Sequence, residues 1–275
     1  MDLFSLSLSP HNALKSLIKR YHYQHIDLSS ASAMKYDFYP SYSQCLMLYL
    51  GDAGSRMLSG EDICEIKAGP HIVSAQLKTT TLYFQNLHRV FTVNFTAGGL
   101  SRLLKQPLND LVNICADAES FMGYSIQKLT DRLRNAILIE DLKHIADRFF
   151  LDRLNSIRPP KSFDIVMQQV SDNLWADYNV EAIARASCLS IKQVDRLSYE
   201  RFGISPKLYL KLIRFSKACT IKEKFPGLSW TKIAYQSGYY DQNHFIKDFR
   251  KFTGITPAHS NENLINRISF RRHIE

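Results

Sequence analysis

No apolar run in this 275-residue sequence is long enough to span a bilayer; "CLMLYL" at 45–50 is among the longest and reads as a buried strand. The opening "MDLFSLSLSP" lacks the basic stretch and the extended apolar segment of a secretory leader. Both absences point to a cytoplasmic protein with no membrane partner. The five cysteines, Cys45, Cys64, Cys115, Cys188 and Cys219, are scattered without C-x-x-C spacing. That argues against a disulfide framework or a zinc knuckle and leaves reduced, mostly buried thiols. Missing as well are a nucleophile elbow, a phosphate-cradling loop and a paired-carboxylate motif, so the sequence signals no enzymatic chemistry.

What is present is a globular composition, 45% hydrophobic and 22% charged, in a chain of two-domain length. Its net charge of +9 is unevenly spread. From Lys161 onward there are 18 Lys/Arg against 11 Asp/Glu, while the first 160 residues hold the remaining 17 and 15. A basic segment of that size suits a polyanion, with a membrane surface as the weaker alternative. The division falls at "NSIRPPKSF", 155–163, where Pro159-Pro160 cannot continue a helix.

The expected fold class is α+β: a β-rich N-terminal domain over 1–155 with trailing helices, and an all-α domain over 162–260. Residues 36–96 read as short strands broken by turn signals, and the alternation in "RVFTVNF" predicts a half-buried strand ended by Gly98-Gly99. From Leu108 to Leu154 the pattern turns helical. Leu138, Leu142, Ile145 and Phe149 form a stripe that either docks on the sheet or makes a dimer seam.

Beyond the linker the periodicity is helical almost throughout. "SFDIVMQQV" places Phe163, Val166, Met167 and Val170 on one face. Ser229 reads as an N-cap, Gly238 as a C-terminal stop, and Ser190 with Gln193 as a capping box. One unit occurs twice, about 50 residues apart. Ile183-Ala184 matches Ile233-Ala234, Cys188 matches Gly238 in the turn, and Val194, Arg196 and Ser198 match Phe245, Lys247 and Phe249. Each copy is a short helix, a tight turn and a second helix, closed by "GISP" at 203–206 or "GITP" at 254–257. An uninterrupted helical pattern from about Pro206 to Lys224 joins them.

On "IARASCLSIKQVDRL…GISPKLYLKLIRFSKA" and "KIAYQSGYYDQNHFIKDFRKFTGITP" the C-terminal part resembles the DNA-binding domain of AraC/XylS-type transcription regulators. More loosely, "VNFTAGGLSRLLKQPLNDL" resembles the cupin-like sensor domain of one subgroup of that family. The resemblance implies a sequence-specific regulator of double-stranded DNA, whose two second helices enter successive major grooves. On the first it places Lys192, Gln193, Asp195 and Arg196 against bases, and on the second Gln242, Asn243, His244 and Lys247. Ser190, Lys207 and Lys232 would hold phosphates. Arginine or lysine suits guanine, glutamine or asparagine suits adenine, and Asp195 would accept from cytosine or orient Arg196. The alternative for each residue is a merely solvated face.

The same resemblance implies RNA polymerase as a partner, a small-molecule effector in the N-terminal domain, and a homodimer. No cofactor or metal is expected. His22, His25, His71 and His88 lack the spacing of a cupin enzyme, although a cupin-type metal enzyme fused to a DNA-binding module remains the rival. Three positions depart from the family pattern: Ser198 replaces a large apolar residue, Tyr239 a common phenylalanine, and "AHSNEN" the usual ending of the last helix. Leu197 or Phe202 would fill the space beside Ser198. The basic tail "NRISFRRHIE" would touch phosphate or stay disordered.

Overall fold

The computed structural model describes residues 2–28, 34–51, 55–59, 62–84, 87–172 and 178–260. The tail at 266–275 and the second half of "AHSNEN", 261–263, lie outside them. Among the described residues there are ten strands, all in the first 117 positions and all paired antiparallel. Strands β1 (Asp2–Leu8), β2 (Ile18–Asp27), β4 (Cys45–Tyr49), β7 (Gly69–Val73), β9 (Leu87–Phe95) and β10 (Cys115–Asp117) form a sheet in the order β1-β2-β9-β4-β7-β10. A second sheet has the order β3-β8-β5-β6, from β3 (Met34–Phe38), β5 (Ser55–Ser59), β6 (Asp62–Ile66) and β8 (Thr80–Phe84). Two antiparallel sheets make the first part β-rich, as expected.

Strand β9 corrects one expectation. It is buried on both faces, not half-buried. Phe91, Val93 and Phe95 join the core shared with the helices, whereas Val90 packs with Ile26, Met47, Tyr49, Ile66 and Leu82 between the sheets. The alternating polar residues Thr92 and Asn94 are carried inside as well, because the strand is covered on both sides.

Residues 108–117 also depart from the helical reading. They form a short 3-10 turn, Asn109–Leu111, followed by β10. Asn113 adopts a left-handed backbone, φ 61°, and its side chain accepts from the Leu77 amide at 2.6 Å. That conformation breaks a helix and turns the chain back onto β7. Helices α1 (Gly99–Leu104), α2 (Glu119–Met122), α3 (Tyr124–Arg134) and α4 (Ile139–Leu151) complete the first part. Of the two alternatives for the α4 stripe, docking on the sheet is the one observed: Leu142 and Phe149 are buried, Phe150 meets Phe95, and Asp147 accepts from the Tyr21 hydroxyl at 2.9 Å. Leu138 precedes the helix and stays exposed.

After Pro159-Pro160 come α5 (Ser162–Asp172), α6 (Val180–Ser187), α7 (Ile191–Phe202), α8 (Pro206–Lys224), α9 (Trp230–Gln236) and α10 (Gln242–Thr253). Phe163, Val166, Met167 and Val170 are all buried, as their spacing requires. Their cluster extends to Tyr39 and Ala75 of the strand-rich part, so one core crosses the junction. Among the described residues no helix is long and apolar enough to cross a membrane.

Candidate nucleic-acid interface

The repeat deduced from spacing exists in three dimensions. Ile183, Ala184, Ile233 and Ala234 are buried where each short helix meets the longer one that follows. The turn residues Cys188 and Gly238 have φ of 56° and 82°, the same left-handed conformation. Glycine accepts that geometry without strain, while Cys188 holds it at a cost. Helices α7 and α10 are each 12 residues long. Ser190 caps α7 in a complete capping box with Gln193, and Ser229 caps α9 through the Lys232 amide. The cap of α10, Asp241, escaped the sequence reading, although an aspartate directly ahead of a helical run is a recognised start signal.

Both long helices rest on α8, a 19-residue rod of about 28 Å. Ser205 caps it and Pro206 occupies its first turn. The Phe202 ring stacks on Tyr209 with centroids 4.2 Å apart, and Phe215 meets Phe249 at 5.8 Å and Phe252 at 5.0 Å. Trp230 stacks on Phe245 and edges Phe249. Buried aromatic contacts of this kind fix both helices on one axis.

The departures from the family pattern now have structural outcomes. Ser198 is fully buried and its hydroxyl donates to the Ile204 carbonyl at 2.7 Å. Of the two residues expected to fill the space, Phe202 is buried between Phe163 and Tyr209 and Leu197 is partly buried. Tyr239 keeps the apolar position, but its hydroxyl oxygen is buried without a hydrogen-bond partner among the described residues. Burial, with Asp248 adding to it, pushes its phenol well above the ordinary range.

All of the named polar residues face solvent. Lys192, Gln193, Asp195 and Arg196 are exposed along α7, as are Gln242, Asn243, His244 and Lys247 along α10. Ser190, Lys207 and Lys232 are exposed at helix starts. The carboxylate within reach of Arg196 is Glu200, one turn on at 3.8 Å, and not Asp195. Gln193 already uses its side-chain oxygen on the Ser190 amide.

The far end of α7 is held by the strand-rich part, through residues the sequence reading did not single out. The Arg201 side chain, 5% exposed, donates from Nε to Asp164 Oδ1 at 2.9 Å and pairs with Glu200 at 2.7 Å. Gln44 donates to the Arg201 carbonyl at 2.7 Å, and the Leu108 amide to the Glu200 carbonyl at 3.1 Å. Nearby Arg102 is buried, which lowers its pKa, and donates to the carbonyls of Arg158 and Ser16. Close by, a cavity of about 390 Å³ lies between β2, β9, α5 and α8, with Lys19, Gln44, Ser171 and Tyr209 among its walls.

The histidines of the strand-rich part do not converge. His22 and His71 share a register row through Thr92 and Met47, which puts three strand spacings, about 14 Å, between them. The Tyr49 ring stands between His71 and His88, 5.7 and 5.6 Å from each. Among the described residues no three His, Cys, Asp or Glu gather in a metal-holding group.

A helix-turn-helix domain model matches residues 183–263. That match covers nearly all of the repeat and the rod between its two units. The transcriptional activator RhaS of Escherichia coli is 28% identical over 125 residues, 46% of this chain and 40% of the relative. An uncharacterised helix-turn-helix regulator of Haemophilus influenzae is 22% identical over 161 residues, 57% of this chain and 52% of its own length. The chain thus spans about half the length of the curated relatives it matches. Among solved structures, an apo form of ToxT from Vibrio cholerae covers 93% of this chain and 98% of its own, at 13% identity and a TM-score of 0.49. In the helix-turn-helix domain described here, both units of the repeat are complete: each pairs a short helix with a capped 12-residue one.

Proposed function

We propose that this protein is a sequence-specific, effector-responsive transcription regulator that reads two successive major grooves of double-stranded DNA. One observation carries the reading: two capped helices of equal length, each with an exposed polar face, are fixed by buried aromatics on a single rod. A major groove admits an α-helix, and the basic surplus supplies phosphate attraction. Lys192, Gln193, Asp195 and Arg196 read bases from α7, and Gln242, Asn243, His244 and Lys247 from α10. Ser190, Lys207 and Lys232 position phosphates.

In this reading residues 162–260 form the DNA-reading domain. Residues 1–155 bind a small effector, mediate dimerisation, or both. An effector acts only through different affinities for two arrangements of the parts, and the seam around Arg201 and Gln44 is where such arrangements would differ. RNA polymerase is the partner at the promoter, the compartment is the cytoplasm, and the protein catalyses no reaction. Genome-wide footprinting with purified protein at two salt concentrations tests the proposal. Sites that persist at the higher salt support it; binding that vanishes uniformly, with no preferred sequence, reduces the protein to a general polyanion binder.

A further inference from the structure

The histidine in the first turn of α10 has its protonation pattern set by the chain itself. Asp241 accepts twice from the same residue: from the His244 backbone amide at 2.8 Å with Oδ1, and at 2.8 Å from His244 Nδ1 with Oδ2. The backbone amide of His244, foremost, holds the Asp241 carboxyl below its usual pKa, so the group is an ionised carboxylate. A carboxylate only accepts hydrogen bonds, so Nδ1 carries the hydrogen. Neutral imidazole then presents a bare lone pair at Nε2, the outer end of a side chain that is 68% exposed.

In a major groove that lone pair can meet two donors, the N6 amino group of adenine and the N4 amino group of cytosine. Guanine O6 and N7 and thymine O4 offer only lone pairs and repel it. We propose that Asp241 is a specificity-determining positioning residue: by holding His244 in the Nδ1–H form, it makes the second reader helix select adenine or cytosine at one operator position. The inference rests on the reading of α10 as a base-contacting helix. A bland alternative is that the pair only caps the helix, and the two differ in what the Asp241→Asn variant does.

Asparagine also caps helices well, so this variant keeps its fold. With its side-chain oxygen on the His244 amide, its Nδ2 donates to His244 Nδ1 and drives the hydrogen to Nε2. The ring's outer end becomes a donor, and the selected base becomes guanine or thymine. Two measurements on the full-length protein at about pH 8 decide the matter. Nitrogen-15 NMR of the imidazole should show the Nδ1–H form in the wild type and the Nε2–H form in Asp241→Asn. Selection from randomised duplexes should show the preference at one position inverting by about tenfold or more. An inverted tautomer with an unchanged base spectrum overturns the inference while leaving α10 as a reader. So does an Nε2–H form in the wild type. A wild-type protein that enriches no sequence overturns both the reading of α10 and this inference. Asp241→Ser, which caps without holding the ring, should broaden the preference without inverting it.

Discussion

Replacing Gly203 and Gly254 by alanine, one at a time, separates helix-end strain from the contact between the two parts of the chain. These glycines end α7 and α10 in the equivalent phrases "GISP" and "GITP", with φ of 74° and 80°. A side chain in the left-handed region costs about 1–2 kcal/mol in either place. Their surroundings differ. A β-carbon at Gly254 meets nothing within 4 Å, whereas at Gly203 it lies 2.4 Å from Val112 Cγ2 and 2.7 Å from the Leu108 carbonyl. One of those is backbone of the strand-rich part, which cannot swing aside like a long side chain. Overpacking of this kind adds about 1–3 kcal/mol. Gly254→Ala should therefore cost about 1–2 kcal/mol and Gly203→Ala about 2–5 kcal/mol. Thermal denaturation followed by far-ultraviolet circular dichroism reads both, each kcal/mol moving Tm by about 2–4 °C in a chain of this size. Equal shifts would refute the reasoning, because they would mean that α7 does not press on residues 108–112.

Three further changes follow from single residues. Tyr239→Phe removes a buried hydroxyl that has no partner among the described residues, and should raise stability by about 1 kcal/mol in the same melt; a loss would show that the hydroxyl is satisfied. Cys188→Gly relieves a left-handed non-glycine turn and should gain about 0.5–1 kcal/mol, measured against denaturant. Burial lowers the pKa of His88 to about 3 from 6.5, so the unfolded chain takes up a proton that the native state refuses. Its contribution is complete above pH 6.5 and falls by about 1.4 kcal/mol per pH unit toward pH 3. A His88→Gln variant should lose stability less steeply between those limits.

The C-terminal half was legible because its signals are local. Caps such as Ser190 and Ser229, the left-handed turn at Gly238 and the four-residue aromatic period of Phe245 and Phe249 all act within a turn or two of their neighbours. Strand β9 and residues 108–117 were misread because their state depends on partners far away in sequence. Covering by a second sheet and by α4 buries the polar residues of β9 along with the apolar ones, and β10 exists only where β7 lies beside it. The seam was invisible for the same reason: Gln44 and Arg201 are 157 residues apart, and neither belongs to a motif. Arg201 in particular looks like one more basic residue on an exposed helix until its burial beside Asp164 is seen. The base-facing set was written from the resemblance, and exposure of every member is what the fold adds.

Hydroxyl-radical footprinting of a natural operator, with Arg196→Ala and Lys247→Ala compared with the wild type, tests the two-groove account most directly. The wild type should protect two segments on one face of the duplex, about 34 Å or one helical turn apart. Arg196→Ala should lose protection in one segment only, with affinity reduced by about 1–3 kcal/mol, and Lys247→Ala should lose the other. A single protected segment, or two folded variants that leave the pattern intact, would contradict it.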